Sequence, residues 1–195
     1  MSRDLKLFVV DTGPLITLAV AQSLDYLLFI VADLVIPDAV LHQATRDAAR
    51  LGAQDIVDWV KANRTRIEIA ATKAYEAYDL ARATAPSHRE PDLGERAAVE
   101  VIEEPARLQG AERGLLLCEE SAVLRRVVVR DRERIVEIST LDFLRILEAE
   151  QRIQSAEQVF ELAEKRRPPS RVMTLSAQDE ATRRAIRDLV QRRDV

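Results

Sequence analysis

The chain has 195 residues, 47% of them hydrophobic and 32% charged, which suits one ordinary domain and excludes disorder, a collagen-like chain or a repeat array. Five glycines, seven prolines and 4% aromatics are too few for the many tight turns of a small sandwich or barrel, and favour helices packed on a short sheet. Lys and Arg total 29 against 33 Asp and Glu, a net charge of −4, so no global basic field marks a nucleic-acid binder, and a polyanion would need a local patch or bound cations.

One cysteine, Cys118, excludes an internal disulfide framework and a Cys-rich zinc site, and two histidines add too few soft ligands for a structural metal. A reducing, cytoplasmic setting is expected. The apolar run before Asp11 is too short for a signal peptide, and no run approaches the roughly 20 apolar residues that span a bilayer, so no membrane role is expected.

Leu7-Phe8-Val9-Val10 reads as a strand buried on both faces of a parallel sheet, ending at Asp11. Thr12 as a cap and Pro14 in the first turn then open a helix through Ala19. Leu34-Val35-Ile36-Pro37 repeats the strand pattern, with Asp38 as N-cap of the next helix; between them Asp25 to Ile30 reads as a short helix or a strand. A helix around Trp59, a half-exposed strand at Arg66-Ile67-Glu68-Ile69-Ala70 and a helix from Thr72 follow.

Two prolines hold the polar loop Pro86-Ser87-His88-Arg89-Glu90-Pro91, which opens through Asp92-Leu93-Gly94-Glu95 into a helix. Loops placed this way often carry function. Gly114-Leu115-Leu116-Leu117 is a third buried-type strand and Ile135-Val136-Glu137-Ile138 a fourth, with helices expected from Ser121 and, capped by Thr140, to about Glu150. Ser155 and Gln158 form a capping-box pattern for a further helix, and Ser176 with Asp179 could cap a last, arginine-rich one.

Alternating strands and helices predict a parallel sheet with helices on both faces, whose ligands bind beyond the carboxyl ends of the strands. The residues falling there are acids: Asp11, Glu119 and Glu120 after two strands, and Asp92 with Glu95 at the helix entered from the proline loop. Such a cluster repels itself at neutral pH unless a cation sits in it, and oxygen-rich sites suit Mg²⁺ or Mn²⁺. Ions held this way support metal-assisted phosphodiester hydrolysis.

Together Val9 to Ala19, Ile36-Pro37-Asp38-Ala39-Val40, Asp92-Leu93-Gly94-Glu95-Arg96-Ala97-Ala98 and Leu115-Leu116-Leu117 before two acids resemble a PIN domain, in the branch with a D-x-G-E motif that overlaps VapC-type toxin nucleases. The likeness covers roughly residues 5 to 150, in the family's order. It implies a three-layer α/β/α sandwich over residues 1–150, and the helices read after it make 151–195 a helical extension packed on or beside that domain. It also implies an endoribonuclease site of three or four acids binding Mg²⁺ or Mn²⁺, an RNA substrate, frequent homodimers and, in toxin members, a small antitoxin partner.

Carried over by position, Asp11 matches the first metal-binding Asp and Glu95 the acid opening the later helix, with Asp92 beside it. Glu119 and Glu120 stand where two aspartates are usual, and Arg125 resembles the basic residue that follows them. Asp11, Glu95 and Glu119 are the leading catalytic ligands, Asp92 and Glu120 direct or water-mediated helpers, and Thr12, Gln43 and Arg125 line the site. Gln43 departs from the pattern, replacing an expected glutamate with a neutral amide that is a poorer Mg²⁺ ligand.

The rival reading is a catalytically weakened PIN scaffold that binds RNA or a protein. A haloacid-dehalogenase-like phosphatase needs a second Asp at position 13, which is Gly, and a Rossmann nucleotide binder needs a glycine-rich loop where Asp11 stands. His42 and His88 read as surface residues, Cys118 as an inert core thiol and Trp59 as core.

Overall fold

A computed structural model of the chain describes residues 5–110, 112–119, 132–166 and 180–191. The helix expected from Ser121, the residues Glu120 and Arg125, and the caps Ser176 and Asp179 lie outside them.

Five strands form one sheet in these residues: β1 (Leu5–Val10), β2 (Asp33–Pro37), β3 (Ile67–Ala70), β4 (Arg113–Cys118) and β5 (Ile135–Ser139), in the order β3-β2-β1-β4-β5. Every pairing is parallel. Alternation along the strands splits the core into two layers. Phe8 and Val10 of β1, with Leu115 and Leu117 of β4, face a cluster that also buries Leu15, Leu18, Trp59 and Phe143, whereas Leu7, Val9 and Leu116 face Ala98, Val101 and Ile102. The chain is thus a three-layer α/β/α sandwich. The half-exposed strand is edge strand β3, with Glu68 and Ile69 open to solvent.

The helices are α1 (Thr12–Val20), α2 (Asp38–Thr45), α3 (Ala53–Ala62), α4 (Lys73–Thr84), α5 (Leu93–Glu103), α6 (Thr140–Ala149), α7 (Ala156–Arg166) and α8 (Glu180–Gln191). The ambiguous segment after α1 is a 3₁₀ helix, Leu24–Phe29. In α7 the capping pattern is realised, with Ser155 Oγ accepting the Gln158 N–H at 3.2 Å. α7 packs on α1 and α6, and α8 lays Ile186, Leu189 and Val190 into the larger core cluster.

Three expected caps are displaced by one residue. Asp11, not Thr12, is the N-cap of α1, and Ser139, not Thr140, caps α6 by accepting the Asp142 N–H. Asp38 is the first residue of α2, after Pro37. Its carboxylate accepts from the Ala39 N–H at 2.8 Å and the Thr72 hydroxyl at 2.7 Å, tying the ends of β2 and β3 together. Ending a strand and starting a helix leaves one extended residue between them, and before α1 and α6 that residue is the first polar one after the apolar run.

Candidate metal and nuclease site

In an open parallel sheet the crevice lies where the chain leaves a central strand toward one side and a later strand returns on the other. Here β1 leads to β2 on one flank while β4 docks on the opposite one, so the crevice opens at the carboxyl ends of β1 and β4. Asp11 and Glu119 stand at those ends. The Asp11 N–H donates to Leu117 O at 2.9 Å, extending the ladder to the edge of the crevice.

Asp11 is only 8% exposed. It occupies the N-cap position of α1 in extended backbone, yet its side chain makes no capping hydrogen bond into the helix. Burial pushes its carboxyl pKa from 3.8 up to about 7; the charge of Glu95 adds to this, the Thr12 backbone N–H partly opposes it, and Glu119 raises it further. A carboxylate kept solely to cap a helix would be stabilised as an anion. Asp11 is penalised instead.

α5 is pressed against this group by a glycine. A Cβ on Gly94 would stand 3.1 Å from Asp11 Oδ1, 3.1 Å from Thr12 Oγ1 and 2.7 Å from Gln43 Oε1. Only a residue without a side chain lets the first turn of α5 approach so closely. Thr12 donates its hydroxyl to Gln43 Oε1 at 2.8 Å, so the amide's NH₂ remains its donor. Asp92 is the N-cap of α5 at φ 53, and Glu95 lies in its first turn, half-buried.

Glu119 is held from the other side. Thr17 donates its hydroxyl to Glu119 Oε1, and a Cβ on Gly13 would fall 2.7 Å from the Glu119 Cδ. The side chain lies against α1. Among the described residues, no group of three or more His, Cys, Asp or Glu is drawn together as an ion's ligands. Asp11, Glu95 and Glu119 share one electrostatic neighbourhood all the same: the three, together with Glu137, raise the pKa of buried Cys118, whose own burial contributes most.

The donor set is oxygen only and matches a hard divalent cation. A buried carboxylate destabilised by two neighbouring acids is what an added positive charge would relieve. The chemistry of these residues therefore fits Mg²⁺ or Mn²⁺. Of the other expected members of the site, Thr12 and Gln43 are bonded to each other where Gly94 faces Asp11, while Glu120 and Arg125 lie outside the described residues.

Sequence reasoning missed Gly13 and Thr17 as the seat of Glu119, although a threonine inside the apolar run Leu15-Ile16-Thr17-Leu18-Ala19 was the available signal. It also set His42 aside as a surface residue. His42 is half-buried beside Gln43, its ring tilted against Tyr75 and edge-on to Tyr78 with centroids 5.2 and 6.0 Å away. Cys118 and Trp59 are buried as expected, with Trp59 Nε1 donating to Asp25 at 2.8 Å.

No protein-family model matches the chain, and no curated protein or solved structure is detectably similar to it. Among the described residues, no helix is long and apolar enough to cross a membrane.

Proposed function

We propose that the chain is a Mg²⁺- or Mn²⁺-dependent endoribonuclease of PIN type. The observation that carries this reading is Asp11: a buried, charge-penalised carboxylate at the crevice between β1 and β4, with Glu95 and Glu119 in its field. The resemblance of the four sequence segments to PIN domains adds the reaction class. A cytoplasmic setting, and the role of toxin neutralised by a small antitoxin, belong to the same reading.

Asp11, Glu119 and Glu95 would hold the cation, with Asp92 as a helper at the mouth of α5. The ion supplies an activated water and neutralises charge on the phosphodiester. The chain's own residues do the positioning. Gly94 lets the N-terminal turn of α5 come close to Asp11, where its N–H dipoles favour an anion. Gln43, with its carbonyl engaged by Thr12, turns an NH₂ donor toward substrate oxygens, which a glutamate could not do. Thr17 fixes one oxygen of Glu119 against α1.

The test is cleavage of a fluorescent single-stranded RNA with Mn²⁺, comparing wild type with Asp11→Asn. Loss of cleavage in the variant, with the fold intact, is expected. Equal rates in the two proteins would defeat the nuclease reading and leave the scaffold alternative.

A further inference from the structure

Next to the acid site lies a pocket of about 890 Å³, bounded by α2, α4 and the proline loop, with Gln43 and Leu93 in its wall. Its size falls in the range of small-ligand sites, roughly 300–1,000 Å³. Three guanidinium groups line it, those of Arg46, Arg82 and Arg89. The wall also carries two acids: Asp47 accepts the Ala49 N–H at 3.1 Å, and Glu90 pairs with Arg96 and lies 3.9 Å from His88. In a chain of net charge −4, this is a local cationic recess beside a cluster of carboxylates.

The recess is also aromatic. Tyr78 is buried, and the rings of His42 and His88 flank it with centroids 6.0 Å from its own, while the Arg82 guanidinium lies 5.9 Å from the Tyr78 centroid. His42 Nδ1 is bonded to the Tyr75 hydroxyl at 3.0 Å, whereas His42 Nε2 is shielded from solvent and has no hydrogen-bond partner among the described residues. Burial, with Arg46 and Arg82, pushes the His42 pKa down. An orphaned polar nitrogen costs stability.

We propose that this pocket is the subsite for the nucleotide adjoining the scissile phosphodiester of single-stranded RNA. The base lies against the His88 ring, with its edge toward the Gln43 amide, and the phosphate rests on Arg46, Arg82 and Arg89. Stacking and cationic contact to one nucleotide is the recurrent way single strands are held. Gln43 belongs to both places, so it joins binding to cleavage. The proposal rests on the nuclease reading for its substrate, but binding can be measured without cleavage.

The experiment uses the full chain in EDTA, where no RNA is cut, and fluorescence anisotropy with a labelled RNA hexamer of mixed sequence and with the same hexamer carrying abasic sites. Arg46→Gln and Arg89→Gln are each expected to weaken hexamer binding about fivefold and to lower the salt slope by about one. His88→Ala is expected to weaken the intact hexamer and leave the abasic one nearly unchanged. Arg145→Gln, on α6, is the control for general charge and should bind as wild type does. These arginines are exposed, so their variants should keep the wild-type melting temperature.

Hexamer affinity unchanged within twofold in all three variants, or no hexamer binding by wild type, overturns the subsite. So does equal binding of intact and abasic RNA, or equally strong displacement by a poly-glutamate peptide, either of which would mark a merely electrostatic patch. Pocket-dependent binding by a chain that cuts nothing with Mn²⁺ would uphold the subsite and sink the nuclease. Cleavage with unaltered binding in the variants would do the reverse.

Discussion

The two ends of the sheet treat their acids in opposite ways. At the amino ends of the strands, Arg107 reaches Glu68 at 2.6 Å and pairs also with Glu104, and the Glu68 pKa is pulled down by that bond. At the carboxyl ends, Asp11 meets burial and two more acids, and its pKa rises to about 7. One end stabilises its charges internally; the other is left needing a positive charge. Selection for stability alone would not leave a buried acid in that state, and perturbed groups in a crevice are where function concentrates. The contrast also predicts opposite pH signs for the two ends.

The largest effect expected follows from removing the penalised charge. Asp11→Asn should reduce RNA cleavage by about 10²-fold or more, since even groups that merely support a metal ligand cost 10–100-fold when lost. Stability should move the other way. A folded-state pKa raised above the unfolded one means that the native state holds the proton more tightly, so stability falls as pH climbs from about 4 through about 7. The rise from 3.8 to about 7 corresponds to roughly 4 kcal/mol, an upper figure for a metal-free protein above pH 8. The Asn variant escapes that loss and should melt on the order of 10 °C higher there, with the difference vanishing near pH 4. Adding Mn²⁺ should raise the melting temperature of wild type but not of the variant. Thermal scans across pH, with and without the ion, check both statements; coincident curves would remove Asp11 from the site.

That end of the sheet was largely legible because strand ends in a parallel sheet are set by apolar runs, and the acids follow those runs directly. Asp11 follows Val10, and Glu119 follows Cys118. Less legible were contacts made by helices that meet only in three dimensions. Nothing local indicates that Gly94 of α5 touches Thr12 and Gln43, or that Thr17 receives Glu119 across 102 positions. The aromatic recess was hidden for the same reason: His42, Tyr78 and His88 come from α2, α4 and a loop, and the two histidines alone read as surface residues. The caps slipped by one because a run of hydrophobicity marks where a strand lies but not which residue turns the chain.

Gly94→Ala probes how closely α5 must approach. Alanine would improve helix propensity by about 1 kcal/mol, against an overpacking cost of about 1–3 kcal/mol. The displaced atom at 2.7 Å is the flexible end of Gln43, which favours the lower cost. Net stability should therefore change by less than about 2 kcal/mol, while Mn²⁺ affinity drops about tenfold because Asp11 and the Thr12–Gln43 bond are pushed aside. Calorimetric titration separates the two. Gln43→Glu should act in the opposite sense, tightening Mn²⁺ about tenfold while keeping the Thr12 bond, since a carboxylate also accepts that hydroxyl. A titration without any gain would place residue 43 outside the ion's reach.

The smallest effect belongs to the compensated end. Glu68→Gln removes one partner of Arg107 at a site where the Glu68 side chain is half-exposed, so solvent screening limits the loss to about 0.5–1 kcal/mol. Its sign is the reverse of that at Asp11. A carboxyl whose folded-state pKa is depressed contributes above its unfolded pKa and loses that contribution as pH falls through the folded one. Wild type and Glu68→Gln should then differ at pH 7 and converge in acid, whereas wild type and Asp11→Asn differ most in base. Because Arg107 retains Glu104, the Gln variant leaves no unpaired guanidinium. Melting curves at pH 3 and pH 7 should therefore converge only at the lower pH. A gap that persists in acid would mean that packing of the Glu68 stem, rather than its charge, holds that edge of the sheet.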